Sequence, residues 1–209
     1  MNEITPDWPV DLRGVTESIV ATLGPNELWN MAALGLHAPD KQADPDEPVT
    51  ATTWGNTRTK RNFHRQGGGV VQFTSDPREF VDAAVTIREE PEAVLPNADA
   101  WVEVDAKLVD SGSEGGTEGE RWELRPIATG TVDGSRPLTI NRGFYAVVDA
   151  TVAASRLDVP AFDTNRLVDR LRYFEETVEK CGGPRELEAF ETLSSETGWR
   201  EYPGRNESF

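Results

Sequence analysis

The sequence predicts an α+β chain, a small antiparallel β-barrel followed by a helical lobe. Three observations point there. Strand-like segments cluster between residues 16 and 133 without the strand–helix alternation of a parallel sheet. Beyond Pro137 the apolar residues fall at helical spacing. Clusters rich in Gly, Pro, Asn and Asp separate the segments, as turns do. The expected limits are residues 14–136 for the barrel and 137–196 for a lobe packed on it, with loose termini at 1–13 and 197–209.

Each element has its own signal. Thr16 to Thr22 is a short β-rich run, Leu23 to Glu27 a turn cluster, and Leu28 to Leu36 a second apolar segment, so the pair reads as a hairpin. Pro39 to Pro48 is an acidic, proline-bearing loop. Val49 to Trp54 is a Thr-rich third strand. Gly67 to Gly69 reads as a hairpin turn ahead of a fourth strand, Val70 to Thr74. Ser75-Asp76-Pro77 opens a helix, with Phe80, Ala83, Ala84 and Ile87 as its apolar stripe. Trp101 to Asp110 alternates as a half-buried strand. Ser111 to Glu120 reads as a flexible acidic loop, and Arg121 to Asp133 as one or two further strands. Gly143 to Leu157 is helical in spacing. Asp163 caps a second helix that runs to about Lys180, where Cys181-Gly182-Gly183-Pro184 stops it. Arg185 to Leu193 is a third.

Composition narrows the function. The formal charge is -16, with 37 acidic against 21 basic residues, which opposes binding to nucleic acid. No apolar run is long enough to span a bilayer and no N-terminal signal pattern is present. Cys181 is the single cysteine, so no intrachain disulfide forms, and the chain reads as cytoplasmic. With His37 and His64 as its two histidines, it has no metal-ligand spacing and no metal is expected. Only Lys41, Lys60, Lys107 and Lys180 are lysines. An acidic surface that prefers Arg to Lys reads as a protein of a salt-loving cytoplasm.

Two segments carry chemistry. No acidic residue lies between Glu47 and Asp76, where even spacing would put about five. That window holds Thr57, Arg58, Thr59, Lys60, Arg61 and Asn62, a mixture suited to a phosphate. A soluble, basic edge strand explains it equally well. The second segment is Asn30 to Leu36, where Ala32 and Ala33 replace bulky β-formers. Small side chains let a flat ring lie against the backbone, or let two strands cross tightly. A flat-ring platform followed by a phosphate-suited run describes a mononucleotide cofactor such as FMN. No catalytic constellation stands out: the serines lie outside any nucleophile-elbow pattern, and Gly67 to Gly69 lacks the Lys-Ser/Thr of a Walker loop.

The segments Glu17 to Thr22, Pro25 to Gly35, Gly55 to Phe63, Val70 to Pro77, Ile140 to Gly143 and Ala146 to Arg156, together with the helical pair ending at Leu193, keep one order and spacing. In these the chain resembles an uncharacterised, mainly archaeal family of FMN-binding split-barrel proteins related to the flavin reductases. The resemblance implies a six-stranded antiparallel split β-barrel that dimerises and holds FMN near the subunit interface. It implies that Asn30, Ala32 and Ala33 line the isoalloxazine, and that Thr57, Arg58, Thr59 and Asn62 hold the phosphate with Lys60 or Arg61 adding charge. It also places Thr74 toward the ring or ribityl chain, and Asn141, Arg142 and Gly143 at the site from the helical lobe or a second subunit.

The expected function is a homodimeric FMN flavoprotein, an oxidoreductase whose electron donor, substrate and catalytic residues the sequence does not name. Arg142 is the candidate to stabilise a reduced flavin anion. The competing readings are an FMN carrier without dedicated catalysis, and a phospho-ligand or nucleic-acid binder built on Arg58 to Arg65.

Overall fold

The computed structural model describes residues 7–39, 47–132 and 137–202. Most of the acidic Pro39 to Pro48 loop, and the boundary expected at 136, lie outside the described residues. The chain divides into two compact units, residues 1–12 with 16–140 and residues 13–15 with 141–209.

The first unit is a closed barrel. Its strands are β1 (Val15–Leu23), β2 (Trp29–His37), β3 (Val49–Trp54), β4 (Gly68–Phe73), β6 (Ala100–Glu114) and β7 (Thr117–Thr131), with a three-residue β5 (Arg88–Glu90). The neighbour order β2-β3-β7-β6-β4-β1 returns to β2 through the β1–β2 hairpin, so six antiparallel strands close on themselves. Strand β5 pairs with the first residues of β2, Asn30 opposite Glu89 and Met31 opposite Arg88. Closure removes most of the edge that an open sheet exposes.

Alternation along the strands builds two cores. Val20, Leu34, Leu36, Val71, Phe73 and Val102 fill the barrel. The opposite sides of the same strands, through Ile19, Ala21, Met31 and Val70, pack beneath the helix α2 (Pro77–Val85) and residues 93–98. Gln72 is fully buried there. Its amide donates to the Ala93 carbonyl at 3.1 Å and accepts from the Leu95 N–H at 2.8 Å, which pins that loop.

Four local expectations differ. The basic window is not a strand but the helix α1 (Arg58–Gln66), started by Thr57, whose hydroxyl accepts from Lys60 N–H at 3.2 Å. Gly67 is no hairpin turn: it caps α1 in the left-handed conformation, φ 71°, and gives its N–H to the Phe63 carbonyl. Residues 111–120, expected as a loop, continue β6 and β7 in register as far as Glu114 and Thr117, because cross-strand pairing outweighs weak local propensity. Ile87 lies beyond the end of α2 and is exposed. The leading segment is also less loose than expected. Val10 is buried, and Trp8 and Leu12 pack on the barrel core.

The second unit contains α3 (Arg142–Ala154), α4 (Thr164–Cys181) and α5 (Pro184–Thr197). Ala150, Leu171, Val178 and Phe190 form its core with Trp199, which is 2% exposed and so is not part of a loose tail. Asp163 caps α4 by accepting from the N–H groups of Asn165 and Arg166.

Candidate functional site

Helix α1 has three faces, and each follows from its sequence. Thr59, Asn62 and Phe63 are buried, with Phe63 packed against Trp122 at 5.1 Å between centroids. Lys60 and His64, one turn apart, both meet Glu120, at 3.0 Å and 2.7 Å. Burial pushes the Glu120 carboxyl up, but the hydrogen bonds from Lys60 and His64 outweigh it and hold the group below its ordinary value. Arg58, Arg61, Asn62 and Arg65, at i, i+3, i+4 and i+7, line a cavity of about 340 Å³.

The rest of that cavity comes from the β1–β2 turn (Gly24, Pro25 and Asn26), from Asn30 at the start of β2, and from Glu89 on β5. Its volume is at the lower end of the roughly 300–1,000 Å³ usual for small-molecule sites. Three guanidinium groups face one carboxylate. Each arginine commits a single terminal nitrogen to protein oxygens. Arg58 Nη1 donates to Glu89 Oε1 at 2.8 Å, Arg61 Nη1 to the backbone and side-chain oxygens of Asn56, and Arg65 Nη2 to Leu23 O and Asn62 Oδ1. Among the described residues the second terminal nitrogen of each has no protein partner, and a guanidinium recognises a phosphate through two parallel N–H donors. The donor set fits a phosphate group.

Among the residues expected at the site, Asn30, Arg58, Arg61 and Asn62 come together in this cavity. Others have different tasks. Thr57 is the cap of α1, and Thr59 is buried beneath the helix. Lys60 turns to Glu120 instead of adding charge to the cavity. Ala32 packs toward the barrel core, while strand alternation puts Ala33 on the other side of β2. The Thr74 hydroxyl donates to Asn97 O and accepts from Asp76 N–H, both at 3.1 Å, holding the turn into α2.

In the helical unit, Asn141 is fully buried and structural. Its amide donates to the carbonyls of Arg13, Val15 and Cys181, and its oxygen accepts from Phe144 N–H to cap α3. Gly143 follows because a Cβ there would sit 2.5 Å from the Gly182 Cα. Asn141 therefore has no donor left for a ligand. Arg142 is exposed at the first position of α3.

Asn26 and Glu89 were not expected, and Arg65 was named only in the competing phospho-ligand reading. The signal for Arg65 was present in the helical spacing from Arg58, whereas Glu89 reaches the cavity only through the pairing of β5 with β2. Among the described residues no group of three metal-ligating side chains is found, and no helix is long and apolar enough to cross a membrane.

A closed six-stranded antiparallel barrel with an arginine-lined cavity beside its first hairpin defines the class of this protein. Its sequence matches the N-terminal domain of the family described as protein of unknown function DUF447 over residues 16–133. The family's C-terminal part matches residues 141–195, and the chain belongs to this family. Among solved structures it is similar to an FMN-bound protein of Methanosarcina mazei assigned to the same family. The identity is 23%, over 88% of this chain and 95% of the other, with a TM-score of 0.48. It is also similar to the flavin reductase of a styrene monooxygenase from Pseudomonas putida S12 at 11% identity, covering 57% of this chain and 82% of that one, TM-score 0.41. An FMN-binding protein from Thermus thermophilus, with p-hydroxybenzaldehyde bound, shares 13% identity over 66% and 83%, TM-score 0.42.

Proposed function

We propose that this protein binds FMN and that the arginine cavity holds the FMN phosphate. The observation that carries the reading is the convergence of Arg58, Arg61 and Arg65 from one helix face on a single cavity of an otherwise acidic protein. Membership of the DUF447 family, one member of which is FMN-bound, supports it. Asn30 lines the cavity near the start of β2, the strand along which the ring is proposed to lie.

Bound FMN supplies one- or two-electron chemistry, and we propose an oxidoreductase, with the chain binding and orienting the cofactor. Arginines fix the phosphate end bidentately, and the cap of α1 leaves the positive end of the helix dipole near the same run. One observation favours a carrier as the second reading. Among the described residues the cavity's lining holds Glu89 as its one carboxylate, bonded to Arg58 at 2.8 Å, and neither histidine nor cysteine, so no side chain there stands ready for general acid–base work. A homodimer, which rests on the family resemblance, completes the proposal, and the charge of -16 with the scarcity of lysine supports the cytoplasm of a salt-loving archaeon.

The test is titration of the flavin-free protein with FMN and with riboflavin, which has the ring and no phosphate. Arg58→Ala should weaken FMN by about one to two decades, the loss of one charge-assisted contact, and leave riboflavin unchanged. Equal losses for both ligands would mean that Arg58 supports the barrel and not a phosphate. NAD(P)H consumption by the FMN-loaded protein then separates oxidoreductase from carrier.

A further inference from the structure

The cavity assigned to phosphate already contains an anion of its own. Glu89 Oε1 accepts from Arg58 Nη1 at 2.8 Å and from Asn26 Nδ2 at 3.3 Å. Its position is imposed from outside the cavity. Strand β5 is held to β2 by backbone pairing, with Glu89 opposite Asn30. On the other side of β5, Arg88 bonds Glu79 and Asp82 of α2 and its own neighbour Glu90. Arg88 is thereby anchored, and alternation sends Glu89 the opposite way, into the arginine face. Yet the Glu89 side chain is 29% exposed and its partner Arg58 40% exposed, so the carboxylate can swing to water without unfolding the strand.

We propose that Glu89 is a built-in counter-ion of the arginine cavity, displaced by a phosphomonoester dianion and retained against singly charged anions. This rests on the anion-site reading above and adds a charge selectivity to it. Without Glu89, three guanidinium groups on one helix face would take any small anion, chloride included. With it, a monoanion merely exchanges one negative charge for another at Arg58. A dianion replaces the carboxylate at Arg58 and also attracts Arg61 and Arg65, so it alone gains from the exchange. The ligand class is a terminal phosphate monoester; a phosphodiester, with one charge, is excluded on the same ground.

The experiment compares the wild-type protein with Glu89→Gln, which keeps shape and an acceptor oxygen while removing the charge. The probes are FMN, riboflavin and inorganic phosphate, titrated calorimetrically in low and in molar KCl. At low salt, Glu89→Gln should tighten FMN and inorganic phosphate by about five- to tenfold, the scale of a half-exposed ion pair no longer competing. Riboflavin should not change. In molar KCl the variant should lose more phosphate affinity than the wild type, because chloride now fills the cavity. Weaker or unchanged phosphate binding by Glu89→Gln would overturn the proposal, the former showing that Glu89 orients Arg58 for the ligand. Tighter phosphate binding by the variant, in a protein that ignores FMN, would sink the FMN assignment and leave the counter-ion standing. Failure of both proteins to bind either anion would remove both.

Discussion

Arg65 Nη2 donates to Asn62 Oδ1 at 2.6 Å, while Asn62 Nδ2 donates to the carbonyl and hydroxyl of Thr22 at 3.2 and 3.0 Å. Asn62 is 3% exposed, so this amide links the floor of the cavity to strand β1 inside the protein. We predict that Asn62→Ala destabilises the barrel by about 1–3 kcal/mol, because the Thr22 carbonyl loses a donor away from water. The same change leaves Arg65 with Leu23 O alone as its acceptor and should weaken inorganic phosphate binding. Chemical denaturation with an unchanged m-value checks the first part. A stability loss below a few tenths of a kcal/mol would show that water replaces the amide.

The residues from Thr57 to Arg65 show how much was legible in the sequence. Their composition pointed to an anion, and Asn30, Arg58, Arg61 and Asn62 do share a cavity. Their form did not stand out, because a helix of nine residues contains few apolar positions to establish a period, and only Phe63 is large and buried. The spacing of the arginines carried the missing signal. Glu89 had no local signal at all: a three-residue strand is defined by what it pairs with, and β5 pairs with residues some sixty positions earlier. The barrel itself was readable from clustered strands, α3 from its apolar spacing, and α4 from its cap and stripe. Asn141 was misjudged for a different reason. A polar residue ahead of a helix serves equally as a ligand group or as a cap, and only burial separates the two.

That cap gives the second prediction. Asn141→Ala removes the α3 cap and leaves the carbonyls of Arg13, Val15 and Cys181, the last of them buried, short of a donor. The expected cost is about 2–4 kcal/mol, the sum of a lost cap and of unpaired buried groups. Gly143→Ala should act on the same place by overlap with the Gly182 backbone. Hydrogen exchange localises the effect: α3 amides should lose protection in both variants. Loss confined to the barrel strands would contradict the assignment.

Acid sensitivity concerns the start of α2. The hydrogen bonds from Arg78 hold the Asp76 carboxyl down from 3.8 to about 2, and those from Arg88 and Asn97 lower Glu79. A carboxyl lowered in the folded state binds its proton more readily when unfolded, so its contribution is present above the unfolded value and is lost as pH falls through the folded one. We predict that stability declines between about pH 4.5 and pH 2. Asp76→Asn should flatten the lower part of that decline and Glu79→Gln the upper part. Parallel curves for wild type and both variants would rule these groups out.

Salt should act through the whole surface. Carboxylates crowded on a body of charge -16 repel one another, and ions screen that repulsion over about 10 Å at 0.1 M. The exposed pairs, Arg78–Asp76 and Arg172–Asp169 among them, weaken under the same screening but contribute little each. The repulsion term dominates, so the melting temperature should rise as KCl goes from low to molar concentration. A flat or falling curve would count against adaptation to a salty cytoplasm.

The two charged faces of α1 give the sharpest comparison. Lys60 and Arg61 are adjacent in sequence, yet Lys60 meets Glu120 at 3.0 Å while Arg61 lines the cavity. Arg61→Ala should weaken FMN by about one to two decades through the loss of a guanidinium–phosphate contact, with riboflavin unaffected. Lys60→Ala should leave both affinities as they were. It should reduce stability by no more than about 1 kcal/mol, because Glu120 keeps His64 as a partner. Charge alone predicts nothing of this difference, since each substitution removes one positive charge from the same turn. If both variants weakened FMN equally, a diffuse basic field would explain the binding and the cavity would not. If only Lys60→Ala did, the phosphate would belong on the Glu120 face of the helix.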